Sequence, residues 1–114
     1  MTLAQWAIAF NWWTGLGYVV AIPLALLWAG GFYWTASLRP SSDAFLTMGV
    51  FAAFIFACGM HHFHLAEMIE RGLAAVDRRM VRHDAAMWLA TWVAASALWV
   101  RIGRSTLSAW REAT

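Results

Sequence analysis

Apolar side chains run almost unbroken along three stretches of this chain, and the polar ones gather where those stretches meet. No Asp, Glu, Lys or Arg precedes Arg39, none lies between Asp43 and Glu67, and none between Asp84 and Arg101. A helix needs roughly 20 apolar residues to cross the hydrocarbon core of a bilayer. The pattern therefore predicts three membrane-spanning helices, near residues 11–35, 44–70 and 84–103. The fold class is all-α, an integral membrane protein, and residues 1–114 form one domain. The third stretch is the shortest, and His83 and Trp99 stand at its borders, where side chains reach the headgroups.

Local signals place the joints. Ser37–Leu38–Arg39–Pro40–Ser41–Ser42–Asp43 reads as a turn, with Ser42 or Asp43 capping the second helix. Beyond Gly72 the chain turns charged, through Asp77, Arg78, Arg79 and Arg82, and the third helix is expected to start at His83 or Asp84. Pro23 falls inside the first helix, where it removes one backbone bond and predicts a kink that membrane helices tolerate. Gly15, Gly17, Gly30 and Gly31 offer surfaces for close helix approach. The tail, 104–114, reads as a short amphipathic helix on the membrane surface, with Leu107 and Trp110 towards lipid.

Composition agrees. The chain is 62% hydrophobic and 12% charged, against about 25% charged in soluble proteins, so it lacks the polar groups to cover a soluble globule. Met1–Phe10 carries no Lys or Arg, unlike a cleaved secretory signal. All eight basic residues are arginines scattered over ends and loops, which is no footprint for nucleic acid. One cysteine, Cys58, excludes an internal disulfide. Most of the nine tryptophans bracket the spans, as interfacial rings do, while Trp92 lies deeper and is expected to pack between helices. The arginines divide equally between the two sides of the membrane. Arg39, beside the first helix, tips the orientation towards an outer amino terminus and a cytoplasmic tail. The expected location is the inner, cytoplasmic membrane of a bacterium.

Chemistry concentrates in one turn of the second helix, Cys58–Gly59–Met60–His61–His62–Phe63–His64. Ionisable groups inside a span are costly and read as functional by default, against the plainer reading of interfacial histidines bonded to lipid or a neighbouring helix. Cys58, His61 and His62 stand at i, i+3 and i+4, so they share a helical face. Thiolate and imidazole together suit a soft ion, Cu(I) first and Zn(II) second, with a further ligand needed from another helix, a second protomer or a small molecule. A weaker alternative pairs His62 or His64 with His83 as axial ligands of a b-type haem. Nothing forms a hydrolytic triad, a phosphate loop or a carboxylate pair, so no enzymatic activity is expected.

The run Phe51–Ala52–Ala53–Phe54–Ile55–Phe56–Ala57–Cys58–Gly59–Met60–His61–His62 resembles the second transmembrane helix of the ethylene-receptor family and its bacterial sensor-kinase relatives, F-x-A-F-I-x-x-C-G-x-T-H. His61 stands where that pattern has threonine. Tyr18–Val19–Val20–Ala21–Ile22–Pro23–Leu24 is similar to the family's first helix, and the two matches occur in the family's order. The resemblance implies a dimerising three-helix sensor that holds Cu(I) through Cys58 and His62 and, in plants, receives ethylene at that copper. The family's acidic residue in helix one has Asn11 and Trp12 as its nearest positions here, and its basic residue in helix three falls near Ala86. The chain ends at Thr114 without a GAF, kinase or receiver domain, so a sensor of this form is expected to act through a partner. The expected partners are lipid and either a second copy or a larger membrane complex. The alternative function is a small, non-catalytic accessory subunit packed against such a complex.

Overall fold

The computed structural model describes residues 1–35 and 37–113, and of Phe32 the backbone alone. Three helices follow one another, α1 (Leu3–Thr35), α2 (Ser42–Glu70) and α3 (Arg78–Ala113), with no strand among the described residues. All three are long and apolar enough to cross a membrane. Each begins earlier than the hydrophobic pattern alone predicts, and in each case a polar side chain explains why. Before α1, Thr2 and Gln5 form a reciprocal cap: the Gln5 N–H donates to Thr2 Oγ1 at 3.2 Å, and the Thr2 N–H donates to Gln5 Oε1 at 2.8 Å. α2 is capped by Ser41, one residue before the expected cap, whose Oγ accepts from the Ala44 N–H at 3.1 Å. α3 starts at Arg78 instead of His83 or Asp84, because Asp77 Oδ1 accepts the Met80 N–H at 2.8 Å.

The exits are equally local. After α2, Gly72 adopts φ +71°, its N–H donates to the Ile69 carbonyl at 3.1 Å, and the Leu73 N–H reaches Met68 at 2.9 Å. That pair of bonds satisfies the last carbonyls and turns the chain away. Ser37 does the same after α1 at φ 54°, with Ser37 and Leu38 donating to Trp34 and Tyr33 at 3.1 and 2.9 Å. Residues 104–113 correct the expectation of a separate surface helix. No proline interrupts the chain there, and α3 continues through Gly103 to Ala113. Leu107 and Trp110 are exposed on that extension. α1 likewise runs unbroken through Pro23.

The helices make a slender bundle of 56 × 21 × 19 Å, in which α1 lies mainly against α2 and α3 packs less extensively on both. Each buried face follows i, i+3, i+4 spacing. α1 turns inwards Asn11, Gly15, Tyr18, Ala29 and Tyr33; α3 turns inwards Asp84, Thr91, Ala95, Ile102 and Thr106. The polarity is inverted relative to a soluble bundle. Asn11, Thr47, His62, Asp84, Thr91 and Thr106 are buried, whereas Leu24, Leu27, Trp34, Phe45 and Leu46 are exposed. Such a surface suits lipid, whose tails are as apolar as leucine and supply no reason to hide it.

Close approach of α1 and α2 depends on one glycine pair. A Cβ on Gly15 would meet the Phe63 ring at 2.8 Å and the Gly59 carbonyl at 3.0 Å; one on Gly59 would meet the Gly15 carbonyl at 3.2 Å. A Cβ on Gly17, Gly30 or Gly31 would meet nothing within 4 Å, so of the four glycines expected at contacts Gly15 is the one whose lack of a side chain the packing requires. Trp92 of α3 packs its ring on Tyr18 of α1 with centroids 5.6 Å apart, as expected of a ring between helices, and stays substantially exposed on its other side. Far from these contacts, Arg101 pairs with Asp43 at 2.7 Å where α3 passes the start of α2.

Two outcomes follow from this arrangement. Cysteines introduced at Ser41 and Ala74 should be labelled from opposite faces of the membrane by an impermeant reagent; labelling from one face would exclude three spans. Gly15→Leu should lower the melting temperature in detergent by several degrees, since overpacking costs about 1–3 kcal/mol. Gly17→Leu should leave it unchanged.

Candidate functional site

Three polar side chains, one from each helix, meet inside the bundle. Asn11 is 0% exposed, His62 2% and Asp84 8%. They sit at comparable depth, some two turns in from the end that holds the start of α1, the end of α2 and the start of α3. Asn11 is the link between the other two. Its Nδ2 donates to the Ala7 carbonyl at 2.9 Å and to Asp84 Oδ2 at 3.2 Å, and its Oδ1 lies 2.6 Å from His62 Nδ1. Two acceptors around the nitrogen settle which end of the amide is which. Oδ1 is then the acceptor, and His62 Nδ1 must carry the proton and donate it. In the neutral ring this leaves the lone pair on Nε2.

Aromatic rings hold the imidazole in place. Tyr18 stacks obliquely at 5.6 Å, Phe10 meets it edge-on at 6.4 Å, and His61 lies 5.7 Å away. The Tyr18 hydroxyl is buried and has no hydrogen-bond partner among the described residues. Cys58, one turn before His62, is half-buried and free, and its Sγ lies 3.8 Å from Thr91 Oγ1 on α3. The Thr91 hydroxyl donates its single proton to the Met87 carbonyl at 2.8 Å, so the thiol is the donor to Thr91.

Cys58, His61 and His62 line one pocket of about 260 Å³ between α2 and α3, as their shared helical face predicts. Met87 and Thr91 close it from α3, and Phe54 and Ala57 from α2. Met87 therefore brings a thioether to the same space, whereas Met60 and Met68 line no part of it. His64 and His83 are both exposed, and neither lines this pocket. No group of three or more His, Cys, Asp and Glu side chains is gathered for a metal among the described residues. Any ion here would rest on Cys58 and one or two imidazoles, with the Met87 sulfur as the further soft atom.

Asn11 and Asp84 are the residues that sequence reasoning passed over as parts of the site. Their signal was present: each is a polar residue on an otherwise apolar helical face, and polar groups in spans face the bundle interior. Removing the link should be costly. Asn11→Ala strands His62 Nδ1 and Asp84 Oδ2 at about 1–3 kcal/mol for each buried group left without a partner, read as a lowered melting temperature in detergent. The double variant Asn11→Ala/His62→Ala should lose less than the sum of the single losses. Full additivity would show that the bond contributes nothing.

No model of a known protein family, no curated protein and no solved structure matches this chain, so the site's own geometry carries its functional reading.

Proposed function

We propose that the chain is a membrane-embedded, non-catalytic sensor domain that holds Cu(I) at Cys58 and His62, with His61 beside them, and signals through a partner. The observation that carries this reading is the hydrogen bond from His62 Nδ1 to Asn11, which Asp84 orients from behind. Metal-binding histidines characteristically donate their second ring N–H to a fixed acceptor, which sets the tautomer and raises ligand basicity. Here that arrangement is buried and spans three helices, and the lone pair of Nε2 is left for a ligand. Cys58 and Met87, both lining this pocket, are sulfur residues of the soft kind that suits Cu(I). Cu(I) held by so few protein atoms retains room for a small soft ligand, which is the chemistry that the ethylene-receptor resemblance implies. The exposed His64 and His83 make the haem alternative the weaker one.

A second reading draws on a different observation. Side chains added at Gly17, Gly30 and Gly31 would meet open space, and Trp13, Leu27 and Trp34 stand out on α1. Open glycines beside exposed bulky side chains suit packing against another membrane helix, in a homodimer or in a larger complex that this chain serves as an accessory subunit.

Copper per chain, measured after reconstitution under reducing conditions, separates the two. Cys58→Ala should abolish retention, His62→Ala should weaken it strongly, and His64→Ala should change little. Asn11→Ala should lower affinity by about 10–100-fold, as loss of such a supporting bond does. Equal copper in wild type and Cys58→Ala would reject the metal site and leave the accessory subunit as the better reading.

A further inference from the structure

A second pocket opens on the other side of the buried polar network. It holds about 290 Å³ between the first turns of α1 and α3, close to the lower end of the ~300–1,000 Å³ range of small-ligand sites. Its walls are apolar and partly aromatic, from Leu3, Trp6, Phe10, Met80 and Val81. The exception is Asp84, which lines it while more than nine-tenths buried. Asn11 Nδ2, at 3.2 Å on Oδ2, is the one hydrogen-bond donor to this carboxyl group among the described residues. Two arginines pair with other carboxylates, Arg71 with Glu67 and Arg101 with Asp43. Arg78, Arg79 and Arg82 are near in sequence, but all three are exposed and line no part of the pocket.

A buried carboxylate without a countercharge is expensive, and it is stabilised when a cation arrives with hydrogen bonds to offer. Trp6 and Phe10 line the same space, and aromatic rings attract cations through their quadrupoles. An acid set among aromatic and aliphatic walls in a space of this size recognises a small apolar body with a charged amine at one end. We infer that this pocket binds a primary ammonium carrying an aryl or short alkyl group, with Asp84 as its anchor. The site is separate from the copper reading and does not depend on it, since Asp84 faces this pocket while Cys58, His61 and His62 line the other.

The probe is phenethylamine, titrated calorimetrically into copper-free protein in phosphatidylcholine nanodiscs, with empty discs subtracted for partitioning. Its uncharged isostere, 2-phenylethanol, is the comparison. Wild type should bind the amine saturably and at least tenfold more tightly than the alcohol. Asp84→Asn should lose at least tenfold in amine affinity and leave the alcohol unchanged. Trp6→Ala, an exposed wall that does not touch the network, should weaken the amine several-fold and guards against a folding defect in the first variant. Equal affinity for amine and alcohol, or undiminished amine binding by Asp84→Asn, would overturn the site. Phosphatidylethanolamine presents the same ammonium. Weaker phenethylamine binding in discs that contain it would support the site with the lipid headgroup as occupant, and unchanged binding would support it with a free amine as occupant.

Discussion

The amide of Asn11 is the point on which the three helices agree. It is fully buried, it donates to α3 and to its own helix, and it accepts from α2. Among apolar surroundings these groups have no water to fall back on, so the hydrogen bonds act less as extra attraction than as a requirement on position. A rotation of any one helix would strand a polar group. The rest of the interior is permissive by comparison, because methyl and ring contacts such as Phe51–Trp99 and Trp28–Trp99 have no preferred partner atom. One polar link thus gives register to a bundle whose apolar faces, inside and out, are otherwise much alike.

The same link explains why the chemistry lies where it does. Gly15 and Gly59 bring α1 and α2 close enough for an α1 side chain to reach the His62 ring. Asp84 enters from the looser helix, α3, and two openings lie along that helix. The one towards α2 is lined by Cys58, His61 and His62, and the one towards the start of α1 by Trp6, Phe10 and Asp84. Asp84 lines one opening and His62 the other, and Asn11 hydrogen-bonds to both residues.

Much of this was legible in the sequence and some was not. The three apolar stretches, their order and the shared face of Cys58, His61 and His62 follow from charge-free lengths and helical spacing. The helix starts lie outside the apolar stretches because capping side chains, not hydrophobicity, fix them. Thr2 with Gln5 and Asp77 with Met80 are short-range polar signals that a hydropathy pattern does not contain. Asn11 and Asp84 were visible as isolated polar residues, but their pairing across 73 positions depends on how α1 and α3 rotate, which no local pattern encodes. Gly59 was hidden for a similar reason. Its value lies in what stands opposite it, and only packing supplies Gly15 there.

Arg82 and Arg101 are the exposed charges that bound the apolar surface of α3, since Asp84 is turned into the bundle, and at about 1.5 Å rise per residue the nineteen steps between them span only about 28 Å. α1 has no charged side chain anywhere along its length, so it imposes no competing limit. The Arg101–Asp43 pair ties α2 to the same level as α3. The apolar band of the whole domain is therefore set by its shortest member and falls slightly below the ~30 Å of an average hydrocarbon core. In a thicker bilayer the surrounding lipid must thin, or the flanking arginines must stretch towards the headgroups. Were copies to gather in such a bilayer, they would share one deformed annulus, and membrane thickness would then act on their assembly.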